Sequence, residues 1–272
     1  MLRPEPSRDR SRAWFESSIS EFRSTEVERI IGKLTMASEF PVTPEQRNAW
    51  TEEISFLRER LDGLDGLICL EFTIPRMGRR IDAVLLTSGL IFVIEFKVGE
   101  KDFKKDALSQ VWDYALDLKY FHKASHTASI VPILVAASAE ISAPQALVMD
   151  EDSVYRPTGA SPISFRPLLD KALIRIGGDA RVDRDWSRAP YYPTPTIVEA
   201  ARALYSRHSV EEIARSDAGA KNLAVTSHRV EELADRARRN GRKTICFVTG
   251  VPGSGKTLVG LNVATRNRDG PK

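Results

Sequence analysis

Apolar positions set out a run of elements between residues 43 and 140. Trp50, Ile54, Leu57 and Leu61 recur at helical spacing. Thr43 caps that helix, Pro44 suits its first turn, and Gln46 completes a T-x-x-Q capping box. Gly63 and Gly66 end it. LICLEFTI (67–74) then predicts a strand. RRIDAVLL (79–86) and LIFVIEFK (90–97) predict two more, joined around a tight Thr-Ser-Gly turn. Leu108, Val111, Ala115 and Leu118 mark a second helix from about Lys104 to Phe121. IVPILVAA (130–137) is a further strand, apolar throughout. The order helix, three strands, helix, strand predicts an α/β fold with helices on both faces of a mixed sheet.

Outside this core the pattern is weaker. Residues 1–42 read as an N-terminal extension, and MLRPEPSRDRSR as a disordered start. Residues 144–195 carry short strand and helix hints, read as an extension of the core domain, and close on APYYPTPT, an extended connector. A helical connector follows over 196–241, with segments at about 196–216 and 227–239, the second stopped by Asn240-Gly241. Residues 242–272 open a new α/β unit.

Composition narrows the class. The chain has 272 residues, 42% hydrophobic and 28% charged, with net charge +3. That is a soluble globular balance with room for two domains. The modest basic excess permits a nucleic-acid partner without arguing for one. Cys69 and Cys246 both sit in apolar runs, which predicts buried reduced thiols in a cytoplasmic protein. There is no C-x-x-C, no secretory h-region, and no apolar run near the roughly 18 residues a membrane span needs. His122 and His126 have helical zinc spacing but no third ligand, and read as an exposed helix end. The basic run RARRNGRK (236–243) suits either phosphate contact or a solvated helix C-terminus.

Three charges stand out in the greasy hairpin. With Ser88-Gly89 as a two-residue turn, Thr87 faces Leu90 and Asp82 lands opposite Glu95. Glu95 and Lys97 are two apart and share a face. Both hairpin faces are otherwise apolar, as in central strands covered by helices. Two adjacent carboxylates there would repel and suffer desolvation, which a divalent cation relieves. Mg²⁺ is commonly held by one or two carboxylates plus water and phosphate. The alternative is an Asp82–Lys97 ion pair with Glu95 solvated.

These residues resemble the core of the PD-(D/E)XK nuclease superfamily, whose pattern is an Asp on the second strand and E-x-K on the third: here Asp82 and Glu95-Phe96-Lys97. The element order is similar to that superfamily's αβββαβ, restriction-endonuclease-like core. Gln110-Val-Trp-Asp-Tyr114 resembles the Q-x-x-x-Y signature of its RecB-like members, and i, i+4 residues share a helix face. Ile81 stands where the pattern often has Pro. The resemblance covers about residues 43–140, a core with bounds near 43–143. It implies a Mg²⁺ (or Mn²⁺) held by Asp82 and Glu95, with Lys97 orienting water or stabilising charge. Gln110 and Tyr114 would support the site or the DNA strand. It also implies a glutamate on the first helix; Glu53 lies on the side of Trp50, Ile54 and Leu57, whereas Glu52 points away.

The second motif is GVPGSGKT, residues 250–257, which fits G-x-x-x-x-G-K-[ST] between an apolar strand, Ile245 to Val248, and a helix. Gly250, Gly253, Ser254 and Gly255 would wrap phosphates with backbone N–H groups. Lys256 would reach the β/γ-phosphates and Thr257 would ligate Mg²⁺. With the helices upstream, this part resembles a bacterial family with a Schlafen-type helicase-like ATPase. Fifteen residues follow Thr257, too few for a Walker B carboxylate and further strands. The expectation is therefore an incomplete motor, marginally stable, with no efficient ATP hydrolysis by this chain alone.

The function these readings point to is a metal-dependent deoxyribonuclease joined to the start of an ATP-binding motor, with DNA, or alternatively RNA, as substrate. Repair, restriction and phage defence all use such architectures. A nuclease fold kept only to grip DNA, or a nucleotide-binding protein with a regulatory N-terminal scaffold, are the alternatives.

Overall fold

The computed structural model describes residues 11–75, 79–140, 145–150, 153–178, 185–191, 217–250 and 255–266. The chain divides into two compact units: Met1–Lys119 with Thr127–Pro190, and Tyr120–His126 with Tyr191–Lys272.

The first unit is α/β, built on a six-stranded mixed sheet. Its strands are β1 (Ala13–Ser18), β2 (Leu67–Ile74), β3 (Arg79–Thr87), β4 (Leu90–Lys97), β5 (Ser129–Ala136) and β6 (Thr158–Ala160), in that order across the sheet. β1 to β4 pair antiparallel, whereas β4–β5 and β5–β6 are parallel. The parallel step needs a crossover, and α4 (Lys105–Phe121) supplies it. The other helices are α1 (Ile19–Ser24), α2 (Val27–Ala37), α3 (Pro44–Arg60) and α5 (Phe165–Ile176).

One core cluster joins α1, α2, α3 and α5 to the sheet through Phe22, Leu34, Ile54, Leu57, Phe92, Ile94 and Leu168. Phe56 meets Phe96 and Phe165 edge-on, with ring centroids 5.5 and 5.0 Å apart. Val111, Ala115 and Leu118 of α4 are buried outside that cluster. Thr43 caps α3 as its sequence requires, its hydroxyl accepting the Gln46 N–H at 3.3 Å.

The hairpin has the expected two-residue turn. Ser88 and Gly89 both take positive φ, 48° and 75°. That is the mirror-image geometry whose twist matches paired strands, and it is what makes Gly89 apt. Thr87 faces Leu90 and the register runs to Ala83 opposite Ile94.

The structure corrects the reading at the N-terminal flank. Residues 13–37 are not an appendage: β1 pairs with β2, and Phe15, Ile19, Phe22, Ile30 and Leu34 lie in the main core. β1 and α1 have six residues each, too few to show a period, whereas α2 carries Val27, Ile30, Ile31 and Leu34 at helical spacing, a signal the sequence reading passed over. Ser18 caps α1 by accepting the Glu21 N–H at 3.1 Å. Residues 158–176 likewise extend the sheet and the core, through β6 and through Phe165, Leu168, Leu169 and Ala172. The first ten residues lie outside those described.

In the second unit, α6 (Asp217–Arg239) and α7 (Lys256–Arg266) pack through Leu223, Leu258 and Val259. α6 begins earlier than expected and stops at Asn240-Gly241, where the Arg242 N–H bonds back to the Ala237 carbonyl at 2.9 Å. The predicted connector helix over 196–216 falls outside the described residues. The predicted strand at 245–248 does not form: its backbone is irregular, with Ile245 81% and Phe247 85% exposed. Cys246 is exposed too, unlike the buried Cys69. A strand is held by its ladder, and no described segment pairs with this one. His122 is also not an exposed helix end; it is buried, and its Nδ1 shares a 2.7 Å hydrogen bond with the Ser125 hydroxyl. Among the described residues no helix is long and apolar enough to cross a membrane.

Candidate active site

The charged residues of the hairpin meet where β3 and β4 part. The expected ladder pair of Asp82 with Glu95 is not made; regular pairing ends one step earlier, at Ala83 and Ile94. Instead the Asp82 Oδ2 accepts the Phe96 backbone N–H at 2.8 Å. A side-chain carboxylate has taken the place of a strand carbonyl. The Asp82 and Glu95 carboxyls are close enough to bond each other when one carries a proton.

Glu95 is 4% exposed. Its Oε1 accepts from Lys97 Nζ at 3.0 Å and from Gln110 Nε2 at 2.7 Å. Its Oε2 is buried with no hydrogen-bond partner. Gln110 Nε2 gives its other hydrogen to the Tyr114 hydroxyl at 2.8 Å. One helix face thus presents Gln110 and Tyr114 together, as the i, i+4 spacing predicts. The alternative, an Asp82–Lys97 pair with Glu95 in solvent, is not what forms: Lys97 bonds Glu95, and Glu95 is buried.

α3 contributes from its own side. Glu53 feels the charges of Asp82, Glu71 and Glu95, while Glu52 is exposed. Glu71 on β2 is a member of this group that the sequence reading missed. It is buried, accepts the Trp50 indole N–H at 2.7 Å, and pairs with Arg80. The available signal was a glutamate inside the apolar run LICLEFTI, the same oddity that marked the hairpin.

Crowding sets the electrostatics. Burial first, then the Glu95 charge, pushes the Asp82 carboxyl well above its usual range, against the pull of the Phe96 N–H. Burial and then Asp82, Glu71 and Glu95 push Glu53 well up. Glu95 is raised by burial despite Lys97. For Lys97, burial pulls down, but Glu95 and Asp82 outweigh it and the ammonium is held more firmly. Burial also raises the Tyr114 hydroxyl.

This donor set suits a divalent cation. Asp82 and the free Glu95 Oε2 are hard oxygen ligands whose repulsion a cation would cancel. Among the described residues no three His, Cys, Asp or Glu side chains group closely enough to hold an ion alone. A cation at this place would therefore complete its shell with water or substrate oxygen, the habit of Mg²⁺.

In the second unit, Gly255 has φ 85°, and a Cβ there would lie 2.6 Å from Leu223 Cδ2, so glycine suits both the backbone and the packing. Lys256 begins α7, and its Nζ donates to the Gly250 carbonyl at 2.7 Å. Thr257 is exposed in the first turn. Gly253 and Ser254 lie outside the described residues. Comparison of the chain with protein-family models, curated proteins and solved structures finds no match.

Proposed function

We propose that the first unit is a divalent-cation-dependent nuclease with the restriction-endonuclease-like core of the PD-(D/E)XK type, hydrolysing DNA phosphodiester bonds. The observation that carries this reading is the buried, unpartnered Glu95 Oε2 beside Asp82 and Lys97. Such an oxygen needs either a proton shared with Asp82 or a cation in that proton's place, and the cation is the partner this reading assigns. The order α3-β2-β3-β4-α4-β5 supports the same core.

A cation bound by Asp82 and Glu95 would polarise a phosphoryl oxygen and acidify a bound water. The chain's own groups do the rest. Gln110 and Lys97 hold Glu95 by Oε1, which leaves Oε2 aimed at the site. The Lys97 ammonium has further N–H donors for the charge that builds on the phosphate. The buried Tyr114 hydroxyl keeps its proton and can donate it to a strand oxygen. Glu53, whose carboxyl binds a proton more tightly than usual, would be the group to exchange a proton with water in this reading.

The test is cleavage of plasmid and single-stranded DNA with Mg²⁺ or Mn²⁺, comparing wild type with Asp82→Ala and Lys97→Ala. Equal activity in all three overturns this mechanism. Salt-dependent DNA binding without cation-dependent cleavage would point instead to a binding module. For the second unit we infer a nucleotide-phosphate loop at residues 250–257, supported by the left-handed Gly255 and by Lys256 at the start of α7. Titration with ATP and Mg²⁺ against Lys256→Ala tests it; binding indifferent to that substitution dismisses the loop.

A further inference from the structure

One row of the sheet is left unpaired while its neighbours on either side keep their register. β1 and β2 pair at Phe15–Leu70 and at Ala13–Phe72, but not at Trp14 and Glu71 between them. β2 and β3 pair at Leu70–Ala83 and at Phe72–Ile81, but not at Glu71 and Asp82. β3 and β4 stop at Ala83–Ile94, just short of Asp82 and Glu95. The break thus runs through Trp14, Glu71 and Asp82 and ends at Glu95. No residue is inserted, since the register is the same on both sides of the gap, so this is not a bulge.

At the centre of the row Glu71 has φ 50°, left-handed backbone that a non-glycine residue rarely takes. Its carboxylate is gripped at both oxygens: Oε1 by the Trp50 indole N–H at 2.7 Å, Oε2 by the Arg80 guanidinium at 2.5 Å. Arg80 lies 4.2 Å over the Trp14 ring, and Trp14 meets Trp50 edge-on at 6.3 Å. A residue turned this way cannot align its N–H and C=O with the neighbouring strands. Strain of this kind persists only where the surroundings over-determine it, and it concentrates at functional sites.

We propose that Glu71 is a positioning residue for Asp82: its clamped left-handed backbone takes Asp82 out of the ladder and lets the Asp82 carboxylate turn to the Phe96 N–H and Glu95. The Trp14, Trp50 and Arg80 side chains serve as the clamp. The consequence for cation binding rests on the nuclease reading above; the placement of Asp82 does not.

The experiment follows the Phe96 amide by ¹H–¹⁵N correlation in the full chain, together with Mn²⁺ affinity by calorimetry. Asp82→Asn is the control that shows where the Phe96 resonance goes once the charged acceptor is lost. Glu71→Ala removes the grip and disfavours positive φ, whereas Glu71→Gly removes the grip but tolerates it. The expected result is a Phe96 shift towards the Asp82→Asn position in Glu71→Ala, a smaller one in Glu71→Gly, and Mn²⁺ affinity reduced at least about tenfold in the alanine variant. A residue that merely packs gives the reverse order, since glycine loosens a strand more than alanine does. An unmoved Phe96 resonance in Glu71→Ala, or a larger shift in the glycine variant, overturns the assignment. Should Glu71→Ala fail to fold, Trp50→Phe decides: it keeps the ring and removes one donor, and an unmoved Phe96 resonance there is equally fatal. Asp82→Asn as active on DNA as wild type ends the nuclease reading alone and leaves the amide measurement to judge Glu71.

Discussion

Residues 90–96 and residues 245–248 are apolar runs of similar texture, LIFVIEF and ICFV, each followed closely by chemistry-bearing residues. The first is a central strand, laddered on both sides to β3 and β5 and buried along its length. The second is irregular, with Ile245 and Phe247 turned to solvent. Strand propensity alone does not separate them. What separates them is partners: β4 has a hairpin mate across a two-residue turn and a crossover helix that brings β5 alongside, whereas no described segment pairs with 245–248. Beta preference measures fit to a pleated, half-covered surface, and without the surface it is silent.

The contrast is sharpest in activity. Asp82→Ala should reduce cation-dependent DNA cleavage by about a thousandfold or more, roughly 4 kcal/mol of transition-state stabilisation. Lys256→Ala should leave cleavage within about twofold, since Lys256 belongs to the other compact unit. A gel assay of nicked and linear plasmid measures both, and a large loss in Lys256→Ala would tie the two regions together. Next comes packing: Phe92→Ala, in the middle of the core, should cost about 3 kcal/mol or more in urea denaturation.

A third effect couples protons and cation. Glu53, Asp82 and Glu95 bind protons more tightly folded than unfolded. Their contribution to stability is complete below the ordinary carboxylate range, about pH 4, and is lost as pH rises through their raised values. Asp82→Asn does not titrate, so its stability should gain on wild type as pH rises above the ordinary carboxylate range, about pH 4. Mn²⁺ bound as proposed would replace the protons, so at a hundredfold excess over its Kd at the higher pH it should stabilise wild type by about 2.7 kcal/mol, and the same concentration should give less at lower pH. Melts of Asp82→Asn that respond to Mn²⁺ as wild type does would remove Asp82 from the cation site. The smallest effect is in the open run: Phe247→Ser should change stability within about 0.5 kcal/mol while lowering aggregation, measured by light scattering. A cost as large as that of Phe92→Ala would show that the run is covered after all.

Much of the site was legible because it depends on local rules. The Ser88-Gly89 turn set the strand register, and α4's period put Gln110 and Tyr114 on one face. The stripe of Trp50, Ile54 and Leu57 pointed to Glu53 as the more enclosed of Glu52 and Glu53, and it is. What escaped depends on contacts far apart in the chain. β1 is a six-residue edge strand whose identity comes from pairing with residues some fifty positions on. Glu71 looked like a stray charge because its partners, Trp50 and Arg80, lie on other elements, and no local signal announces a positive φ at glutamate. The Asp82–Glu95 pairing was right in proximity and wrong in form, because the arithmetic assumed a ladder that continues through Glu71's row.

The two-residue turn has a consequence for how this chain can vary. Surface loops usually absorb insertions, since their length is only weakly constrained. At Ser88-Gly89 a single added residue would shift β4 by one position against β3 and exchange its two faces. Glu95 would then take the place of Phe96 in the packed layer, Phe96 that of Lys97, and an isoleucine, Ile94, would stand where Gln110 now finds a carboxylate. The most exposed point of the hairpin is therefore among the least free to change in length, while an insertion beyond β6 or before β1 leaves the same residues where they are.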